Sequence, residues 1–121
     1  MTAKKVLVID DDENILRIMV EYLDVLGVKA ITTNDPREGI EMAKEEKPDV
    51  ILTDIMMPGM PGEEVAEVLR TDPATSHIPI IFMTALADAE DTEKMPKGGY
   101  RFLAKGLPPD EFQKKLKELI S

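Results

Sequence analysis

The chain has 121 residues, no cysteine and a formal net charge of −9 at pH 7. This length suits one domain with a single core, and without cysteine there is no disulfide framework, thiol nucleophile or cysteine-ligated metal site. The negative charge argues against direct binding to nucleic acid or to an anionic membrane surface. No apolar segment approaches the roughly 20 residues that span a bilayer, and the composition is compatible with a cytoplasmic protein.

Apolar runs and amphipathic stretches alternate along the first part of the chain. Residues 6–9 form a continuous apolar run, which is typical of a strand buried on both faces, and residues 15–26 carry an apolar stripe at helical spacing. Gly27 ends this helix, residues 28–32 form a short second strand, and Pro36 lies in the first turn of a second helix.

The same alternation continues to the end of the chain. Five strands alternating with five helices predict one α/β domain over residues 1–121, with a parallel sheet that helices cover on both faces. The remaining predicted elements are a central strand (49–54), a third helix (about 65–69), a fourth strand (78–83), a short helix (86–95), a fifth strand (100–104) and a last helix opened by Pro108 and Pro109.

Polar side chains follow these strands at their carboxyl ends: Asp10, Asp11, Asp54, Thr84 and Lys105. In a parallel sheet those ends lie at one edge, so we expect the five residues to converge on one pocket. Two carboxylates about 4 Å apart repel by about 4 kcal/mol at an effective dielectric constant of about 20, so three need a counter-charge. Lys105 supplies one positive charge and a divalent cation supplies two. All-oxygen ligands suit Mg²⁺, Mn²⁺ or Ca²⁺ rather than zinc or copper.

Asp54 is the residue around which the predicted chemistry is arranged. It ends an apolar strand just before a loop rich in proline and glycine, and buried aspartates are rare unless they have a partner or a task. A carboxylate in this place can act as a nucleophile towards phosphorus. The metal and Lys105 would neutralise charge on the phosphoryl oxygens, and the Thr84 hydroxyl would donate a hydrogen bond to one of them.

With these residues placed, the sequence resembles the response regulator receiver domain of two-component signalling, the CheY-like family. The resemblance covers essentially the whole chain. It rests on Val8-Ile9-Asp10-Asp11, on the run from Asp54 to Gly62, on Thr84-Ala85 and on Lys105 at the end of the fifth strand. The fold that it implies is a doubly wound, flavodoxin-like sheet with strand order 2-1-3-4-5.

The resemblance implies a stand-alone, cytoplasmic signalling phosphoacceptor rather than an enzyme. Asp54 would take a phosphoryl group from a phosphohistidine on a sensor histidine kinase, and the domain would signal through contacts with a downstream protein. By the family pattern Asp11 and Asp54 ligate Mg²⁺ directly and Asp10 reaches it through water. The backbone carbonyl of Met56 would complete the protein ligands.

The resemblance also assigns the residues that sense phosphorylation. Thr84 and Lys105 would bind the phosphoryl oxygens. Phe102, three residues before Lys105, matches the aromatic switch position whose rotamer couples to Thr84. The output surface of the family is the fourth helix, fifth strand and fifth helix.

Several positions depart from the family pattern. Gly106 follows Lys105 where the family usually has proline, so the loop after the fifth strand is less constrained. Tyr100-Arg101 stands where acidic or small residues are common. Pro96 and Gly98-Gly99 predict a short or irregular fourth helix on the face that normally binds partners.

The residues two positions after Asp54 and Thr84 bear on how long a phosphoryl group survives. Both Met56 and Leu86 are apolar, and such side chains could shield an acyl phosphate from water. We therefore expect slow autodephosphorylation.

Two other functions fit part of the pattern. Ile9-Asp10-Asp11-Asp12 matches the opening of a haloacid-dehalogenase-like phosphatase, with Asp10 as nucleophile and Asp12 as acid/base, but this leaves Asp54 without a role. No acidic pair follows a strand after Lys105, as that family would require. A receiver-like module that binds partners without phosphorylation is the second alternative, which Gly106 keeps open.

Overall fold

The computed structural model describes residues 3–85 and 100–121. The predicted strands are all present, with ends that lie within two residues of the prediction. The short helix predicted for residues 86–95 lies outside the described ranges. The elements are β1 (Lys5–Ile9), α1 (Glu13–Val25), β2 (Lys29–Thr33), α2 (Pro36–Glu46), β3 (Val50–Asp54), α3 (Gly62–Thr71), β4 (Ile80–Thr84), β5 (Arg101–Ala104) and α4 (Pro109–Ile120).

The five strands form one parallel sheet in the order β2-β1-β3-β4-β5. This confirms the predicted flavodoxin-like topology. Because all strands run the same way, their carboxyl ends share one edge of the sheet. The register aligns Ile9 with Thr53, and Asp54 with Met83, at that edge.

Side chains of the central strands alternate between two cores, one on each face of the sheet. Val8 and Leu52 belong to the core beneath α1 and α4, whereas Leu7 and Ile51 belong to the core beneath α2 and α3. All four side chains are fully buried. A strand covered on both faces buries the side chains that point to either side, which is why residues 6–9 of β1 and 50–52 of β3 form continuous apolar runs.

Side-chain caps fix where α1 and α2 begin, and a glycine follows the end of α1. The Asp12 side chain accepts a hydrogen bond from the Asn14 N–H (2.9 Å) and caps α1, and Gly27, with φ of 75°, follows its last turn. Asp35 caps α2 in the same way and Pro36 is its first residue. These are the favoured residue types for an N-cap, for the first helical turn and for the position after a helix.

None of the helices within residues 3–85 and 100–121 combines the length and the apolar character that a bilayer crossing requires.

Candidate functional site

Three carboxylates converge at the carboxyl edge of the sheet, as the sequence predicts. Asp10 and Asp11 follow β1, Asp54 ends the neighbouring strand β3, and one oxygen from each lies within 4.8 Å of the others. Asp10 is fully buried, Asp54 is 8% exposed and Asp11 is exposed. Burying two carboxylates is costly unless other groups compensate their charge.

Lys105 provides that compensation from across the sheet. Its Nζ lies 2.7 Å from Oδ2 of Asp10 and 3.1 Å from Oδ1 of Asp54. The backbone N–H of Lys105 donates to the carbonyl of Thr84 (2.7 Å), which fixes the end of β5 against the end of β4. Lys105 therefore reaches the acidic pocket although Gly106 follows it, so the missing proline does not displace the lysine.

Asp10 is held from three directions. Its Oδ1 accepts a hydrogen bond from the Asp12 N–H (2.9 Å), its Oδ2 contacts Lys105, and its own N–H donates to the carbonyl of Thr33. The Asp12 side chain is turned to the Asn14 N–H at the start of α1. Asp12 therefore caps α1, and the acidic cluster consists of Asp10, Asp11 and Asp54. This arrangement gives no support to the acid/base role that the phosphatase alternative assigns to Asp12.

The pocket shifts the pKa of two of its groups. Burial and the charge of Asp10 raise the pKa of Asp54 from 3.8 to about 6, although Lys105 opposes the shift. Burial lowers the pKa of Lys105, but its hydrogen bond to Asp10 and the charges of Asp10 and Asp54 outweigh this and raise the pKa. The ion pairs leave the acidic cluster with excess negative charge, so the pocket favours a further cation.

The donor set indicates which cation fits. The candidate ligands in the described ranges are carboxylate oxygens, and hard oxygen ligands with one lysine nearby suit Mg²⁺ better than zinc or copper. Among the residues that the structure describes, Lys105 is the cation that faces the three carboxylates, so one divalent ion would balance the cluster. The residues present therefore fit a bound Mg²⁺.

The loop between β3 and α3 packs closely against the end of β3 at Gly62. The sequence pattern did not reveal this contact. The Gly62 N–H donates to the carbonyl of Ile55 (2.8 Å). A Cβ at Gly62 would overlap the backbone carbonyl of Asp54, so no larger residue fits without moving the strand end. Gly59 has φ of 82°, which also favours glycine. In the sequence, the Pro61-Gly62 pair before the predicted third helix indicates a turn at this position.

Thr84 and Phe102, the predicted phosphoryl-sensing residues, lie on the neighbouring strands β4 and β5. Thr84 ends β4 and is 3% exposed. The Phe102 ring stacks on the Phe82 ring, with centroids 5.9 Å apart, and the Tyr100 ring meets the Phe82 ring edge-on, with centroids 4.7 Å apart. Phe102 therefore contacts β4 two residues before Thr84. Leu86, Pro96 and Gly98-Gly99 lie outside the described residues.

Comparison with known proteins identifies the family. Residues 6–117 match the response regulator receiver domain. The chain belongs to this family. Among relatives of this receiver domain, the polar-differentiation response regulator DivK of Brucella anthropi is 30% identical over 118 residues, covering 97% of this chain and 96% of DivK.

Solved receiver structures share the fold over nearly the whole chain. The chemotaxis response regulator CheY4 of Vibrio cholerae has a TM-score of 0.84 at 28% identity and covers 98% of this chain and 99% of its own. The receiver domain of the sensor histidine kinase PA1611 from Pseudomonas aeruginosa, whose active-site cleft coordinates a magnesium ion, has a TM-score of 0.82 at 25% identity; 97% of each chain is covered. The phosphatase alternative is therefore not favoured.

Other relatives are longer than this receiver domain. The probable transcriptional regulator ycf27 of Guillardia theta is 32% identical over 120 residues, which are 98% of this chain but 46% of ycf27. The chain thus spans about half the length of that relative and of a second ycf27.

Proposed function

We propose that residues 1–121 act as one receiver domain that accepts a phosphoryl group on Asp54 from a phosphohistidine of a sensor histidine kinase. One observation carries this proposal: the buried Asp54 carboxylate lies 3.1 Å from Lys105 and within 4.8 Å of ligand oxygens from Asp10 and Asp11. A nucleophile, a fixed cation and a cluster of carboxylates that can hold a divalent ion are the parts that phosphoryl transfer to a carboxylate needs.

Each residue has a defined task in the transfer. An oxygen of Asp54 attacks phosphorus, the bond from phosphorus to the histidine nitrogen breaks, and its electron pair stays on the imidazole. With a pKa of about 6, Asp54 is ionised at neutral pH and ready to attack. Lys105 would turn from Asp54 to a phosphoryl oxygen, and the Thr84 hydroxyl would donate a hydrogen bond to another.

Asp11, Asp54 and the backbone carbonyl of Met56 would ligate Mg²⁺ directly, and Asp10 would reach it through water. When bound, the ion supplies positive charge against the phosphoryl oxygens. The magnesium ion in the similar PA1611 receiver domain supports this assignment, and so does the excess negative charge of the acidic cluster.

The output is a change in shape that a downstream protein recognises, with Thr84 and Phe102 as the switch pair. The domain would work in the cytoplasm and would catalyse only its own phosphorylation and dephosphorylation. The stacking of Phe102 on Phe82 supports a route from Thr84 to β5, because Phe82 lies two residues before Thr84 on β4 and its ring contacts that of Phe102. Met56 and Leu86 would slow the loss of the phosphoryl group.

Intact mass after incubation with Mg²⁺ and a small acyl-phosphate donor tests the proposal. We expect one added phosphoryl group on the wild type and none on Asp54→Asn. The matched control is Asp12→Asn, which keeps a good N-cap and removes an exposed carboxylate at the same edge. Asp12→Asn should be phosphorylated like the wild type. Wild type that gains no mass would favour the module that binds partners without phosphorylation.

A further inference from the structure

The loop between β3 and α3 holds three methionines in opposite environments. Met57 and Met60 are buried, with 7% and 6% of their surface exposed, whereas Met56 is 80% exposed. The other methionines in the described ranges are buried or partly buried: Met19, Met42 and Met83. Packing therefore explains the choice of methionine at two positions of this loop but not at Met56.

Exposure decides how readily a methionine is oxidised. Peroxide must reach the thioether sulfur, and sulfur atoms in a packed core are protected from it. In the reaction a sulfur lone pair attacks one peroxide oxygen, the O–O bond breaks and an S–O bond forms. The sulfur loses two electrons, and the hydroxide that leaves takes the remaining proton to become water.

We propose that Met56 is a site of reversible oxidation by hydrogen peroxide, and that its sulfoxide shortens the lifetime of the phosphoryl group on Asp54. The second half of this inference rests on the proposed function. Met56 lies two residues after Asp54, the proposed site of the acyl phosphate, in the loop that begins where β3 ends. Oxidation leaves the backbone carbonyl of Met56 intact, so the proposed metal ligand is retained.

The physical reason is a change in the hydrogen bonding of a side chain two residues from the proposed acyl phosphate. A thioether is apolar and a weak acceptor, so it offers water no fixed position. A sulfoxide oxygen is a strong acceptor on a side chain of nearly the same size. It can hold and orient a water molecule beside the acyl phosphate, and a positioned water attacks more readily than one that must be ordered in the transition state.

The first test uses the unphosphorylated protein and does not depend on the proposed function. The protein is treated with graded hydrogen peroxide, and tandem mass spectrometry measures sulfoxide at each methionine. Met56 should react about tenfold faster than Met57 and Met60 of the same loop, because access controls the rate. Equal rates at the three positions would overturn the inference.

The second test measures the decay of phosphoryl-Asp54 in reduced protein, in oxidised protein and in oxidised protein treated with methionine sulfoxide reductases. We expect decay to be severalfold faster after oxidation and to return to the original rate after repair. The decay rate of Met56→Leu should not respond to peroxide. Met56→Gln, which places an amide near the sulfoxide position, should decay severalfold faster than Met56→Leu without any peroxide.

The outcomes separate the two proposals. Reduced protein that gains no phosphoryl group would overturn the proposed function and, with it, the effect on lifetime. A protein that is phosphorylated but decays at the same rate before and after oxidation of Met56 would overturn the inference alone.

Discussion

At the scale of single residues, Lys105 supplies the positive charge that offsets the buried carboxylates of the pocket. Its ammonium group contacts both buried carboxylates, and its side chain is only 13% exposed. By contrast, the Lys5 ammonium lies 4.0 Å from a Glu46 carboxylate oxygen, with both side chains at least 30% exposed. Solvent screens an ion pair of the second kind far more than the first.

Replacing Lys105 should therefore destabilise the metal-free protein far more than replacing Lys5. Lys105→Met leaves two buried carboxylates without their cation and should lower the free energy of unfolding by about 3 kcal/mol. Lys5→Met should cost less than about 1 kcal/mol. Urea unfolding at neutral pH measures both, and similar losses in the two variants would show that Lys105 does not balance the pocket.

The pH dependence of stability should report the cost of ionising the buried Asp54 carboxyl group. Its pKa is higher in the folded protein, about 6, than the usual 3.8, so between these pH values the folded state binds more protons than the unfolded state. This contribution lowers stability as pH rises from about 4 to about 6, by at most about 3 kcal/mol, and the loss is complete above that window.

Asp54→Asn should remove this contribution. Without metal, the variant should become more stable than the wild type as pH rises through the window, and Mg²⁺ should reduce the difference. Urea unfolding of both proteins between pH 3.5 and 7.5 measures the difference. A difference that stays constant between pH 4 and pH 6 is incompatible with a raised pKa.

The approach of α3 to β3 is the contact between elements that most constrains the site. A Cβ at Gly62 would overlap the Asp54 carbonyl, whereas a Cβ at Gly106 would meet nothing within 4 Å, and Gly106 needs no positive φ. The two glycines flank the same pocket, so they form a matched pair.

Gly62→Ala should destabilise the protein by about 2 kcal/mol, because the strand end or the helix start must move. It should also slow phosphorylation, since the moved backbone carries Asp54. Gly106→Ala should be neutral or stabilise by up to about 1 kcal/mol. Thermal unfolding and initial phosphorylation rates separate these effects. Gly62→Ala with wild-type stability and rate would mean that the close approach does not fix Asp54.

Within the described residues, the sequence was sufficient to predict the strands and helices and the sheet edge at which the candidate site lies. Periodicity reports which faces of an element are apolar, so β1, β3 and α1 could be predicted, and parallel strands then bring Asp10, Asp54 and Lys105 together. Contacts that depend on tertiary distances could not be read in this way. The approach of Gly62 to a carbonyl is such a contact, because no spacing of side chains encodes how closely a helix start meets a strand end.

The sequence alone was equally unable to decide between two possible hydrogen-bonding roles of one side chain. Asp12 could have joined the acidic pocket or capped α1, and the sequence allows both. The structure shows the cap, with the Asp12 N–H also donating to Asp10. The difference between Met56 and its neighbours Met57 and Met60 is of the same kind, since three similar side chains in one loop have no periodicity to separate them.

At the scale of the whole molecule, binding of Mg²⁺ should stabilise the fold. A ligand that binds only the folded state adds about 2.7 kcal/mol at a concentration about 100 times its Kd. Asp11→Asn should lose most of this gain while changing the metal-free stability little, because Asp11 is exposed. Asp12→Asn should keep the gain. Tm is measured with Mg²⁺ and with NaCl of equal ionic strength; equal shifts for both salts would rule out a specific site.

The most direct test of the central claim is transfer from a phosphorus–nitrogen bond to Asp54. Phosphoramidate carries the same type of bond as phosphohistidine, and borohydride reduction converts an acyl-phosphorylated aspartate to homoserine, which peptide sequencing by mass spectrometry locates. We predict one phosphoryl group per chain, dependent on Mg²⁺ and located at Asp54. A protein that stays unmodified with Mg²⁺ and excess donor, or that carries the group at another residue, would contradict the assignment of Asp54 as the phosphoacceptor.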